Sequence, residues 1–247
     1  MLKLKIGYLI ISCLFLTSCS EQDSDIKNIN SDKQTQSDST SNTLPTQSSK
    51  INHVIFYEKV LYGKANFADI RLALTDKDIG RLTNTIHALY NYRWHRGATN
   101  ILDDMWNLKK DNAPELSWEL FEKVPVKLAL ASTINRIKIF NTDEYKQYLH
   151  EHKYDSHEFH RAQVIIALSF NGDPKDVDYL EEMADSENQY VTQTAISGLG
   201  IMNGEKAKKS LGKLWKKYKE TSRGKLIEEV LRNAYGVTPS TEKPLDS

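Results

Sequence analysis

Arg161-Ala-Gln-Val-Ile-Ile-Ala-Leu168 and Val191-Thr-Gln-Thr-Ala-Ile-Ser-Gly-Leu-Gly-Ile-Met-Asn-Gly204 decide the fold, because their apolar residues belong to one register. Ile134, Ile165, Ile196 and Ile227 stand 31 residues apart. Three positions on, Ile137, Leu168, Leu199 and Val230 keep the interval, and twelve further on Leu149, Leu180 and Leu211 keep it again. Three columns locked to one period are the signature of an internal repeat. Ile86, Leu89 and Ile101 show the same internal spacing, offset by 48 rather than 31, which predicts an earlier unit followed by an insertion around residues 110–123.

Each unit reads as two helices. The first two columns lie at i and i+3, on one helix face. Turns interrupt the pattern at Asn171-Gly-Asp-Pro174 and Asn203-Gly-Glu205, where glycine supplies the positive φ that ends the first helix. Asp173-Pro174 then provides a cap and a first helical position. Over residues 205–220 the set Leu211, Leu214, Trp215 and Tyr218 recurs at helical spacing, with Lys206, Lys209, Lys213, Lys216 and Lys217 between its members. A two-helix unit cannot bury its apolar face alone, so three or more must stack, and about four and a half units meet that need. Gly236 after Tyr235 marks the stop of the last helix.

The Val191–Gly204 stretch, followed by Ala207-Lys-Lys-Ser-Leu-Gly-Lys-Leu214, resembles a HEAT repeat of the short, roughly thirty-residue kind. The resemblance is close over residues 157–220 and loose over 80–236. His152 departs from it, standing where Met183 and Leu214 are apolar. A tetratricopeptide stack fits less well, since its period is about 34 and its alanine–aromatic pattern is absent. The resemblance implies an all-α chain built as a short alpha-solenoid of HEAT-like helical hairpins over residues 80–236. Residues 51–79 are expected to form an N-terminal helical cap. Within them the apolar run from Ile51 to Tyr57 is readable as strand or helix, and Asn66 to Leu74 as helix.

The N-terminus reads as an export signal over residues 1–18. Lys3 and Lys5 precede an apolar run from Ile6 to Leu16 that is too short to span a bilayer, and small residues follow. Leu16-Thr17-Ser18-Cys19 resembles the lipobox of bacterial lipoproteins, which implies diacylglyceryl modification of Cys19 and a palmitate-type acyl anchor. Two or more acyl chains, each methylene contributing about 0.8 kcal/mol, hold a protein on a membrane stably. Ser20 after the cysteine favours the outer membrane under the sorting rule of such lipoproteins. Residues 19–50 are rich in Ser, Asp, Asn, Gln and Thr and are expected to be a disordered tether with a root-mean-square reach of about 30 Å. Residues 237–247, with Pro239 and Pro244, read as a disordered tail.

Composition narrows the chemistry. The 247-residue chain is 39 % hydrophobic and 27 % charged with zero formal net charge, so no global basic field points to nucleic acid. Its two cysteines, Cys13 and Cys19, both precede the folded part, which excludes a disulfide framework and a cysteine nucleophile there. His150, His152, His157 and His160 lie close together, and a histidine pair at helical spacing is a zinc or copper ligand pattern. No His-Glu-x-x-His motif accompanies them, so the surface reading is preferred and no metal or cofactor is expected. Asp103/Asp104 and Glu181/Glu182 are adjacent and point to different sides of a helix, unlike the converging carboxylates of acid–base catalysis. No phosphate-binding loop, nucleophile elbow or dinucleotide fingerprint is present, and no catalytic residue is assigned.

The expected function is therefore that of an envelope lipoprotein, membrane-anchored through Cys19 and facing the periplasm, which acts as a protein–protein interaction scaffold rather than an enzyme. Lys206, Lys209, Lys213, Lys216, Lys217 and Trp118 are its expected contact residues: lysines as an electrostatic patch, tryptophan as an anchor. Trp94 and Trp106 lie near Trp118 in the first unit and insertion, two of the three being expected in the core. The alternatives are a metal-binding accessory protein or enzyme centred on the histidines, and a structural lipoprotein touching the cell wall.

Overall fold

Ile134, Ile165, Ile196 and Ile227 are all fully buried, each on a different helix. The computed structural model describes residues 52–137 and 143–239. The segments expected to form the export signal and the tether, with Cys19, and the end of the expected tail lie outside them.

The described residues are all-helical, with no strand among them. Eleven α-helices follow one another: α1 (His53–Leu61), α2 (Phe67–Ala73), α3 (Ile79–Ala88), α4 (Arg96–Trp106), α5 (Val124–Ile137), α6 (Asp143–Glu151), α7 (Glu158–Asn171), α8 (Val177–Ala184), α9 (Gln189–Met202), α10 (Glu205–Tyr218) and α11 (Ser222–Val230). None is long and apolar enough to cross a membrane. Helices α1, α3, α5, α7, α9 and α11 form a row in which each packs on the next. The alternate helices lie beside this row, with α6 against α5, α8 against α9 and α10, and α10 against α9 and α11.

The central helices owe their burial to this position between neighbours. On α7, residues from Ala162 to Ser169 are all buried, because α5 and α9 flank it on either side. The second column follows the same logic: Leu168 and Leu199 are fully buried, whereas Ile137 and Val230, at helix ends, are partly exposed. Leu149, Leu180 and Leu211 are fully buried on α6, α8 and α10, as are Ile86 and Leu89 in the offset first unit.

Local chemistry sets the helix ends. Gly172 takes φ +66° and closes α7 by donating its N–H to the Leu168 carbonyl. At the equivalent turn after α9 the left-handed residue is Asn203 (φ +50°), not the glycine that the sequence suggested. Asparagine tolerates that region, and Gly204 is left in extended backbone as the cap of α10. The Asp173 side chain accepts from the Lys175 N–H ahead of Pro174, which leads into α8. A π-turn at Leu231–Tyr235 and left-handed Gly236 end the last helix.

Of the ambiguous run, His53 to Tyr57 is helix, the first part of α1, while Ile51 lies outside the described residues. Helices α1 and α2 pack on each other, α1 also on α3 and α2 on α4. Residues 110–123 form two short 3-10 turns that fold back on this end. The Ser117 hydroxyl donates to the Thr75 carbonyl (3.0 Å), while Arg71 pairs with Glu115 and Lys77 with Glu119. One expectation is corrected at the other end. Val237, assigned to the disordered tail, is buried, and its N–H donates to the Leu231 carbonyl (3.2 Å), because the π-turn folds the chain back onto α11.

Candidate interaction surface

Trp118 is the clearest departure from the sequence reading. It is 7 % exposed, its indole N–H donates to the Ala113 carbonyl (2.9 Å), and its ring meets Phe121 edge-on at 5.1 Å. A side chain so enclosed cannot anchor a partner; it forms the small core of the insertion. Trp106 is also buried and donates to Glu144 on α6 (2.9 Å). Trp94, between α3 and α4, is the tryptophan turned to solvent, at 85 % exposure.

The lysines of α10 face carboxylates of the preceding unit. Lys206 pairs with Asp178 (2.8 Å), Lys213 with Glu181, and Lys217 with Asp185 (2.7 Å). The Ser210 hydroxyl also donates to Glu181 (2.6 Å), and Arg223 of α11 approaches Asp185 at 3.8 Å. Hydrogen bonds from Lys217 and Tyr218 hold the Asp185 carboxyl below its usual range. Three of the five lysines thus join α10 to α8 as a ladder of ion pairs. Lys209 is exposed beside them.

The four histidines have separate local roles. His157 and His160 stack at 4.6 Å between ring centroids, and His160 Nδ1 lies 3.2 Å from Asp155. The His152 ring lies tilted against Tyr148, 4.4 Å between centroids, and its Nδ1 lies 2.9 Å from the Tyr148 carbonyl. His150 sits 3.7 Å from Asp176, which Lys153 approaches more closely at 2.8 Å. Among the described residues, no three His, Cys, Asp or Glu side chains group as they would around a metal ion. The adjacent carboxylates diverge: Asp103 accepts from Lys109 and Asn107, Asp104 from Asn112, Glu181 from Lys213, and Glu182 from Tyr154.

A different cluster emerges where α3, α5 and α7 end. The Arg136 guanidinium at the end of α5 lies 4.1 Å from the Tyr90 ring centroid and 3.9 Å from that of Phe170 at the end of α7. Arg93 lies 4.5 Å from the same Tyr90 ring and 5.1 Å from Trp94. Cations and aromatic rings therefore alternate from Trp94 to Phe170, each contact favourable through the ring quadrupole. Beneath this ladder, Thr133 approaches His87 Nδ1 at 3.5 Å across the α3–α5 contact. Burial of the His87 ring, whose Nε2 has no solvent contact, pushes its pKa down to about 3, and the charge of Arg136 adds to that effect. No periodicity could have revealed the ladder, since Tyr90, Arg93 and Trp94 fall after α3, while Arg136 and Phe170, on α5 and α7, lie outside the repeated columns.

Comparison of the chain with protein-family models, with curated proteins and with solved structures gave no match in any of the three.

Proposed function

We propose that this chain is a bacterial envelope lipoprotein, anchored through acylated Cys19, whose helical part is a short HEAT-like alpha-solenoid serving as a protein-interaction scaffold on the periplasmic side of the outer membrane. The lipobox-like Leu16-Thr17-Ser18-Cys19 supports the anchor. The observation that carries the scaffold reading is the row of isoleucines recurring every 31 residues and buried in successive neighbouring helices. A stack of this kind has a surface that is large for its core, and extended surfaces hold partners. Among the described residues the adjacent carboxylates diverge, and His150, His152 and the stacked pair His157 and His160 each have different partners, an arrangement that favours surface roles over shared acid–base chemistry.

Two measurements test the reading. Cells fed an alkyne-tagged fatty acid should label the wild-type chain and leave Cys19→Ala unlabelled and released from the membrane fraction. In-cell crosslinking of the anchored chain should recover the same envelope protein repeatedly; only random neighbours in proportion to their abundance would refute the scaffold.

A further inference from the structure

In the middle of the helical row acidic residues are segregated, although α1 at one end carries Glu58 and α11 at the other Glu228 and Glu229. Residues 82–102, 124–142, 159–172 and 189–204, which contain nearly all of α3, α5, α7 and α9, hold no Asp or Glu. The alternate helices carry the carboxylates: Asp103 and Asp104 on α4, Asp143, Glu144 and Glu151 on α6, Asp178, Glu181 and Glu182 on α8. Three acidic residues at the α8 end are already matched by lysines of α10. The acid-free helices instead end in the ladder of Trp94, Arg93, Tyr90, Arg136 and Phe170. Arg96 follows in the first turn of α4 and is exposed. Among the described residues, neither Arg93 nor Arg96 forms an ion pair with a carboxylate.

Resting on the scaffold reading above, we infer that the edge bearing Arg93, Trp94 and Arg96 is the docking site for an acidic peptide segment of a partner protein. Guanidinium groups offer five N–H donors and no acceptor, which matches the acceptor-only carboxylates of Asp and Glu side chains. A sugar polymer would need acceptors for its hydroxyl donors, and the acid-free helices supply no carboxylate for that purpose. Exposed Trp94 contributes the broad apolar contact that dominates binding where it is desolvated, and its neighbour Arg93 is held against it before a partner arrives. An aromatic or large apolar side chain between the partner's acidic residues completes the match.

The test uses the full-length, detergent-solubilised chain and a fluorescein-labelled peptide, Glu-Phe-Glu-Leu-Glu-Phe-Glu, with its Lys-for-Glu counterpart and polygalacturonate as comparisons. Wild type should bind the acidic peptide in a salt-dependent manner and ignore the basic one. R93E/R96E should weaken binding by roughly tenfold or more, and Trp94→Ala by about tenfold. Lys225→Glu, on α11, should bind as wild type does. Unchanged affinity in R93E/R96E, equal loss in Lys225→Glu, or tighter binding of polygalacturonate with the same arginine dependence would overturn the inference. Crosslinking of the same envelope protein to R93E/R96E in cells would overturn this site while leaving the scaffold itself standing. Loss of that crosslink in R93E/R96E with an unchanged circular dichroism spectrum supports the site.

Discussion

The Ser169 hydroxyl on α7 occupies the space that a side chain on Gly198 of α9 would require. A Cβ at Gly198 would also stand 3.1 Å from Leu180 on α8. Ser169 is itself fixed, since its hydroxyl donates back to the Ile165 carbonyl (2.6 Å). The interval between the two helices is therefore set by a hydrogen and a hydroxyl facing each other.

Gly198→Ala should destabilise the chain by about 1–3 kcal/mol, the usual cost of overpacking a filled core. The double variant Gly198→Ala/Ser169→Ala removes the obstructing oxygen and should recover much of the loss. Urea unfolding of the four chains in the cycle measures the coupling. Additive losses would show that the two residues do not compete for one space.

Ile165→Ala and Ile196→Ala should each cost about 2–5 kcal/mol, because both side chains are fully enclosed by flanking helices. Val230→Ala, at the partly exposed end of the row, should cost distinctly less. Equal costs at all three positions in urea unfolding would contradict a core that thins towards its end.

His87 predicts a specific pH dependence. In the unfolded chain its ring takes up a proton below about pH 6.5, whereas in the folded chain it does so only near 3. Between those values the unfolded state binds more protons, so stability is full above the unfolded value and falls as the pH drops, by on the order of 3–5 kcal/mol across the window. His87→Gln keeps a polar group beside Thr133 and removes the titration. The urea midpoint of wild type should fall more steeply between about pH 7 and pH 4.5 than that of the variant. Parallel slopes would remove His87 as the cause.

Of the four tryptophans, Trp94 should respond most strongly to acrylamide. Replacing it with phenylalanine should abolish the most quenchable component of fluorescence and leave the thermal midpoint almost unchanged. Trp118→Phe should do the reverse, because it removes an indole bonded to Ala113 and packed on Phe121. If both variants quench alike, the assignment of exposure is wrong.

What could be read from the sequence divides along a physical line. Ile134, Ile165, Ile196 and Ile227 were legible because a packing requirement that recurs leaves a period in the chain. Exposure of Trp94 and enclosure of Trp118 left no such mark. Both lie outside the repeated helices, and their surroundings come from segments distant in sequence, such as the Thr75 turn that meets Ser117. The α10 lysines had the periodicity of a solvated face, yet Asp178, Glu181 and Asp185 meet three of them from the previous unit, a lateral match fixed only once the hairpins stack. The run from Ile51 to Tyr57 was ambiguous because a short apolar segment suits strand and helix equally, and packing on α2 and α3 decides it.

The bond from Ser117 to Thr75, with the Arg71–Glu115 and Lys77–Glu119 pairs around it, also bears on how the protein carries load. It links the connection before α5 directly to the turn between α2 and α3, so the N-terminal hairpins are braced across the intervening pair. Arg223, in the first turn of α11, makes the same kind of brace by reaching Asp185 (3.8 Å) and the Ser186 carbonyl (3.0 Å) between α8 and α9. Pulled from both ends, the chain would resist at two clasps, one towards each end of the row, before the helices between them part.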